Sequence, residues 1–204
     1  IFMAGLIEYG NENYETAKIK FLEASSQGIL LARYYLGLMY DGGEGVKKDY
    51  SVAKGYFEDS INLPFSKHYL SYYYLEGKGV SKNLALSRQY AEEVVSEHNY
   101  SSSYDILGDI YEFGLGVTID YSKAMDYFEK SSSLGNSMAT QDVADLYRDG
   151  KGVEKNINKA LELYIHSSNL NSNSAKFDIA NMYYEGICFD QNYTQAKKWF
   201  EKSA

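Results

Sequence analysis

The chain has 204 residues, with 20 Lys and Arg against 28 Asp and Glu, for a formal charge of −8. That balance argues against a nucleic-acid binder, which needs a basic footprint. A hydrophobic fraction of 45% is incompatible with wholesale disorder, and a single proline, Pro64, points to helices. One cysteine, Cys188, rules out an intrachain disulfide and a cysteine-rich zinc site, and no apolar run approaches the ~20 residues that span a bilayer.

Taken in chain order, the predicted elements repeat. Ala17, Ala53, Ser87, Ala124, Ala160 and Ala196 form a column of small residues spaced 36, 34, 37, 36 and 36 apart. Four residues before each stands Asn13, Asp49, Asn83, Asp120, Asn156 or Asn192, and four residues after it Phe21, Phe57, Ala91, Phe128, Tyr164 or Phe200. A second small column, Gly37, Ser71, Gly108, Ala144 and Ala180, precedes the last five by 16 residues. Between the two columns recurs a loop: Gly43-Glu44-Gly45-Val46, Gly77-Lys78-Gly79-Val80, Gly114-Leu115-Gly116-Val117, Gly150-Lys151-Gly152-Val153 and a degraded Gly186-Ile187-Cys188-Phe189.

Each column has a physical reason. Asp or Asn ahead of a helical pattern is an N-cap, its side-chain oxygen accepting from an orphan backbone N–H, worth ~1 kcal/mol. Ala53, Tyr56, Phe57 and Ser60 follow helical spacing with one buried stripe. The loop glycines supply a left-handed C-cap, the valine folds back as an apolar plug, and the small residues let two antiparallel helices approach. Each unit is therefore predicted to be helix, tight loop, helix, burying its stripe only by stacking on its neighbours.

The pattern Ala32, Leu36-Gly37, Tyr40, Gly43-x-Gly45-Val46, Asp49-Tyr50, Ala53 and Tyr56-Phe57 resembles the Sel-1-like repeat, a relative of the tetratricopeptide repeat. Five units resemble it, over 30–64, 65–100, 101–136, 137–172 and 173–204. Residues 1–29 look like a plain tetratricopeptide unit, since Gly5 stands only 12 residues before Ala17. The resemblance implies an all-α, right-handed α-α superhelical solenoid of about six repeats and about twelve helices, a single repeat domain over 1–204 that forms part of a longer chain. It further implies a non-enzymatic adaptor or scaffold that binds other proteins. It leaves the compartment open among the endoplasmic-reticulum lumen, the bacterial periplasm or exterior, and the cytosol.

Other chemistry finds little support. The Gly-x-Gly-Val loops lack a Walker lysine and recur five times, as a helix connection does, not a phosphate cradle. His68, His98 and His166 lie in different units without ligand spacing, so no metal is expected. Cys188 reads as a small, half-buried loop filler, no catalytic constellation stands out, and no cofactor is called for. Two sequons, at Asn99 and Asn192, number no more than chance supplies, and Asn192 also sits in the N-cap column.

In tetratricopeptide-type solenoids the first helix of each unit lines the concave face. Transferring its partner-facing positions gives Tyr34, Leu38 and Asp41; His68, Tyr72 and Leu75; Asp105, Asp109 and Glu112; Gln141, Asp145 and Arg148; and Phe177, Asn181 and Tyr184. This groove is acidic at its centre and aromatic at its ends, which favours a basic segment with an apolar anchor and disfavours an acidic tail. Two alternatives stand beside the adaptor. One is an inhibitor or immunity-type protein blocking one enzyme; the other is a binder or hydrolase of a small, cell-wall-like ligand. Trp199 and Phe200, in the last predicted helix, lack a covering unit, so self-association through that end is expected.

Overall fold

The computed structural model describes residues 1–204. It contains twelve α-helices and no strand: α1 Phe2–Gly10, α2 Tyr14–Ser26, α3 Leu30–Gly42, α4 Tyr50–Glu58, α5 Pro64–Glu76, α6 Leu84–Glu97, α7 Ser101–Phe113, α8 Tyr121–Ser133, α9 Ser137–Asp149, α10 Ile157–Asn169, α11 Asn173–Glu185 and α12 Tyr193–Ser203. They form two compact units, Ile1–His98 with α1 to α6 and Asn99–Ala204 with α7 to α12. In each, three hairpins stack so that the second helix of one packs on the first helix of the next. None of the helices is long and apolar enough to cross a membrane.

The N-cap column works as expected in five of six places. Asp49 accepts from the backbone N–H of Ser51 and Val52, Asn83 from Leu86, Asp120 from Lys123, Asn156 from Lys159 and Asn192 from Gln195. Asn13 departs: its side chain makes no cap, and its Nδ2 donates to Glu8 Oε2 at 2.9 Å. At the other end of the first helices, Gly43 takes the left-handed conformation (φ 81°) and its N–H bonds the carbonyl of Met39.

The small column of the first helices allows helix–helix contact through an aromatic ring. A Cβ on Gly37 would lie 2.5 Å from the Phe57 ring, and one on Gly108 would lie 2.3 Å from the Phe128 ring. The rings therefore rest on bare backbone, and Phe21, Phe57, Phe128 and Tyr164 have no exposed surface. In α5 and α6 the pair is Ser71 and Ala91; the gap left by the missing ring is bridged by Ser71 Oγ donating to the Ser87 carbonyl at 2.8 Å.

Four apolar clusters follow this stacking, two in each unit. In the first, Ala17, Phe21 and Ala24 pack with Ala32, Leu36 and Met39, and Ala53 and Phe57 with Leu70 and Tyr73. In the second, Ala124 and Phe128 pack with Val143 and Leu146, and Ala160 and Tyr164 with Ile179 and Met182. The plugs Val46, Val80 and Val153 sit half-buried against these clusters.

Candidate partner-binding site

The second unit gathers carboxylates on its first helices. α7 supplies Asp105, Asp109 and Glu112, and α9 supplies Asp145. Two further acids join them, Asp142 from α9 and Asp178 from α11. Both lie two residues before the small column, where the earlier repeats carry the packing residues Tyr35, Tyr69 and Ile106. A charged residue in a column otherwise reserved for packing was the available sequence signal.

Burial and mutual repulsion shape the charge of the cluster. Asp142 is half-buried, and loss of water, followed by the charges of Asp105, Asp109, Asp145 and Glu112, pushes its carboxyl up to about 8. Burial pushes Asp105 up to about 6 against a hydrogen bond from Asn136, and Oδ1 of Asp105 is buried without a hydrogen-bond partner. Asp178 also rises to about 6, through burial and then the charge of Asp145. Glu112 is raised by burial, with Lys151 opposing.

Internal cations compensate one end of this surface. Arg148 Nη1 donates to Asp145 Oδ1 at 2.6 Å and to the Tyr164 hydroxyl at 2.8 Å, while its Nε donates to Asp149 Oδ1 at 2.8 Å. Tyr164 in turn donates a short hydrogen bond to Asp145. Lys151 Nζ lies 3.7 Å from Glu112 and 3.5 Å from Asp149. Asp149 is held below its usual range by Arg148. Asp105 and Asp142 have no such ion pair, so the acids without an internal cation lie on α7 and α9.

Gln141 is part of the scaffold of the site. Its Nε2 donates to Asp178 Oδ2 at 2.7 Å and Ser174 Oγ at 2.8 Å, tying α9 to α11. Asn181 lines a hollow of about 200 Å³ with Arg148, Tyr164, Asp178 and Glu185. Phe177 and Tyr184 pack on α12: Phe177 on Phe200 at 5.3 Å between ring centroids, and Tyr184 on Tyr193 at 5.3 Å.

The first unit places its transferred positions differently. Tyr34, Leu38 and Tyr72 pack against the cluster of Ala53, Phe57, Leu70 and Tyr73, and Leu75 is buried. Asp41 accepts from the Tyr73 hydroxyl at 2.6 Å, and Lys78 Nζ stands 4.5 Å over the Tyr72 ring. Burial pushes His68 down to about 4, so it is neutral at pH 7. Cys188, expected to be half-buried, is exposed and holds a left-handed backbone (φ 64°), because it stands where the other loops have their second glycine. No group of His, Cys, Asp and Glu has the geometry to hold a metal ion.

Stacked helix–loop–helix hairpins with a glycine-capped loop define a repeat protein of the tetratricopeptide-like class. The Sel1 repeat model matches residues 30–63, 64–93, 101–136, 137–172 and 173–204, and the chain belongs to the Sel1 repeat family. Proteins of this family are generally protein-interaction scaffolds and typically not enzymes. Among solved structures, the chain is similar to a Sel1 repeat protein from Oxalobacter formigenes at TM-score 0.90 and 25% identity, over 100% of this chain and 83% of that one. It is also similar to c5321, a protective antigen of uropathogenic Escherichia coli with an SLR fold, at TM-score 0.79 and 33% identity, over 92% of this chain and 40% of that one. The immunity protein Pa5087 from Pseudomonas aeruginosa shares the fold at TM-score 0.63 and 19% identity, over 93% of this chain and 73% of that one. No curated protein sequence matches the chain.

Proposed function

We propose that the chain is a non-enzymatic adaptor whose second unit binds a basic segment of another protein along α7 and α9. The observation that carries this reading is Asp142, a half-buried carboxyl in no ion pair, which burial and the charges of four other acids keep protonated at neutral pH until a cation arrives to pair with it. A guanidinium or ammonium group placed there relieves repulsion that the isolated protein has to bear, which is a source of affinity and of selection against acidic partners. Asp105 and Asp109 form the α7 wall of that position, Gln141 and Asp145 the α9 side, and the Arg148 end, already compensated, sets where the basic contact stops.

The probe is a fluorescent peptide rich in Arg and Lys, titrated against the wild type, Asp109→Lys, and the milder pair Asp105→Asn with Asp142→Asn. Wild-type binding that weakens more than about tenfold in both variants, and with added salt, supports the proposal. Equal affinity in all three overturns it. The likeness to an immunity protein is one of fold and does not extend that protein's role to this chain.

A further inference from the structure

Inside the two units, neighbouring hairpins are tied by one pair of columns. The last turn of a first helix supplies the residue four after the small position, and the next loop supplies the residue that follows its first glycine. Tyr9 on α1 donates its hydroxyl proton to Glu44 Oε2 at 2.5 Å, in the loop after α3. Glu112 on α7 meets Lys151 at 3.7 Å, in the loop after α9. Between α3 and the loop after α5 the pair is Asp41 and Lys78, where the Asp41 charge acts on an ammonium lying 4.5 Å over the Tyr72 ring.

The junction of α9 with α11 breaks this pairing. Its columns hold Arg148 and Ile187, which cannot bond each other, and a hollow of about 200 Å³ is lined by both. Tyr164, Met182 and Ile187 give it an apolar lining. They belong to a single packed cluster, against which Trp199, left without a covering unit in the sequence reading, is half-buried.

The polar lining is of two kinds. α9 contributes Arg148, four of whose five N–H groups are engaged: Nε and Nη2 with Asp149, and Nη1 with Asp145 and the Tyr164 hydroxyl. One N–H of Nη2 is left over. α11 contributes Asp178, Asn181 and Glu185, whose spacing puts them on one helix face. Asp178 Oδ2 accepts from Gln141 at 2.7 Å while its Oδ1 accepts nothing. Asn181 and Glu185 have neither a hydrogen bond nor an ion pair within the chain.

We propose that this hollow takes the side-chain carboxamide of an asparagine or glutamine in the bound partner. The inference rests on the adaptor reading, and it names the residue type that follows where the basic contact stops, at Arg148. A carboxamide answers both kinds of lining. Its carbonyl accepts from Arg148 Nη2 and Asn181 Nδ2, and its NH2 group donates to Asp178 Oδ1 and Asn181 Oδ1. A carboxylate would be set beside Asp178 and Glu185, and an ammonium beside the guanidinium. An apolar side chain would cover the free donor and acceptors without replacing their water.

The test uses the fluorescent peptide rich in Arg and Lys, extended by alanines, with one Gln moved a residue at a time along the extension. At the best position Gln should bind the wild type about tenfold more tightly than Ala, the worth of one to two net hydrogen bonds. Met, Glu and Lys at that position should each fall well short of Gln. Ile187→Lys restores the loop residue of Lys78 and Lys151, and it should abolish the Gln-over-Ala ratio, as should Asn181→Ala. Circular dichroism checks the fold of both. The pair Asp105→Asn with Asp142→Asn should weaken every peptide and leave that ratio intact. A ratio near one at every position overturns the proposal while leaving the basic contact standing. Met or Lys equal to Gln overturns it too, as does a ratio that survives both Ile187→Lys and Asn181→Ala. Failure of every peptide to bind the wild type overturns the adaptor reading and this inference with it.

Discussion

Replacing Asp142 by Asn should stabilise the protein at neutral and alkaline pH and do nothing at low pH. In the folded chain the Asp142 carboxyl is pushed from an ordinary value of 3.8 to about 8. Below pH ~4 both folded and unfolded chains are protonated there, and the group makes no difference. Between ~4 and ~8 the unfolded chain is ionised while the folded one keeps its proton, so folding loses ground as pH rises. Above ~8 the full cost is present. At 1.36 kcal/mol per pH unit, about four units set an upper limit near 6 kcal/mol. The carboxylates share the burden and remain partly in contact with water, which leaves about 2 kcal/mol as the expected gain. Urea unfolding of wild type and variant at pH 4.5, 6.5 and 8.5, at low and high salt, measures it. The difference should grow with pH and shrink with salt. A variant less stable by the same amount at every pH would refute the reasoning, since it would make the carboxylate a structural acceptor, not a repelled charge.

Three other substitutions test the frame around the site. Gly108→Ala should cost about 1–3 kcal/mol in chemical denaturation despite the better helix propensity of Ala, because its Cβ would meet the Phe128 ring, and Phe128→Leu in the same chain should recover part of the loss. An unchanged midpoint would mean that the ring does not rest on that backbone. Cys188→Gly should raise stability by about 1 kcal/mol by relieving a left-handed conformation, visible as a higher melting temperature; a lower one would show that the Cys side chain makes contacts worth more than the strain. Arg148→Met should cost about 1 kcal/mol at pH 7 by taking the guanidinium away from Asp145 and Asp149, which then keep only the Tyr164 hydroxyl and Lys151. Because Arg148 lowers the Asp149 carboxyl, that contribution is present above the unfolded value near 4 and fades as pH falls through the lowered one; a loss that persists in acid would assign it to packing of the Arg stem.

Much of the architecture was legible because it repeats. Asp49, Asp120 and Asn156 announced helix starts by their place in a column, and the glycine pairs announced the loops between helices. Asn13 shared the column and not the role, because the short first hairpin brings Glu8 within reach of its amide. The candidate site was half legible. Transferring concave positions named Asp105, Asp109, Glu112 and Asp145, yet passed over Asp142 and Asp178, since their column is a packing column wherever Tyr35, Tyr69 or Ile106 occupies it. The same transfer set Phe177 and Tyr184 at an aromatic end of the groove. Their rings pack on Phe200 and Tyr193, a choice made by aromatic packing on α12 that position within α11 does not encode.

The ring seated on bare backbone has a consequence for how such chains change length. Phe57 meets Gly37, and Phe128 meets Gly108, each inside one hairpin and about twenty residues apart, so both halves travel together when a hairpin is duplicated. The Ser71 and Ala91 pair is an internally consistent substitute, with a hydroxyl closing the space that the ring would fill. A crossover within a hairpin would set a Cβ against a ring or leave glycine facing alanine across a void. A crossover in the connection between hairpins exchanges complete locks. Gene-level growth and shuffling of the array is therefore tolerated in whole hairpins, and a chimera joined at residue 100 or 136 should fold where one joined at residue 118 fails.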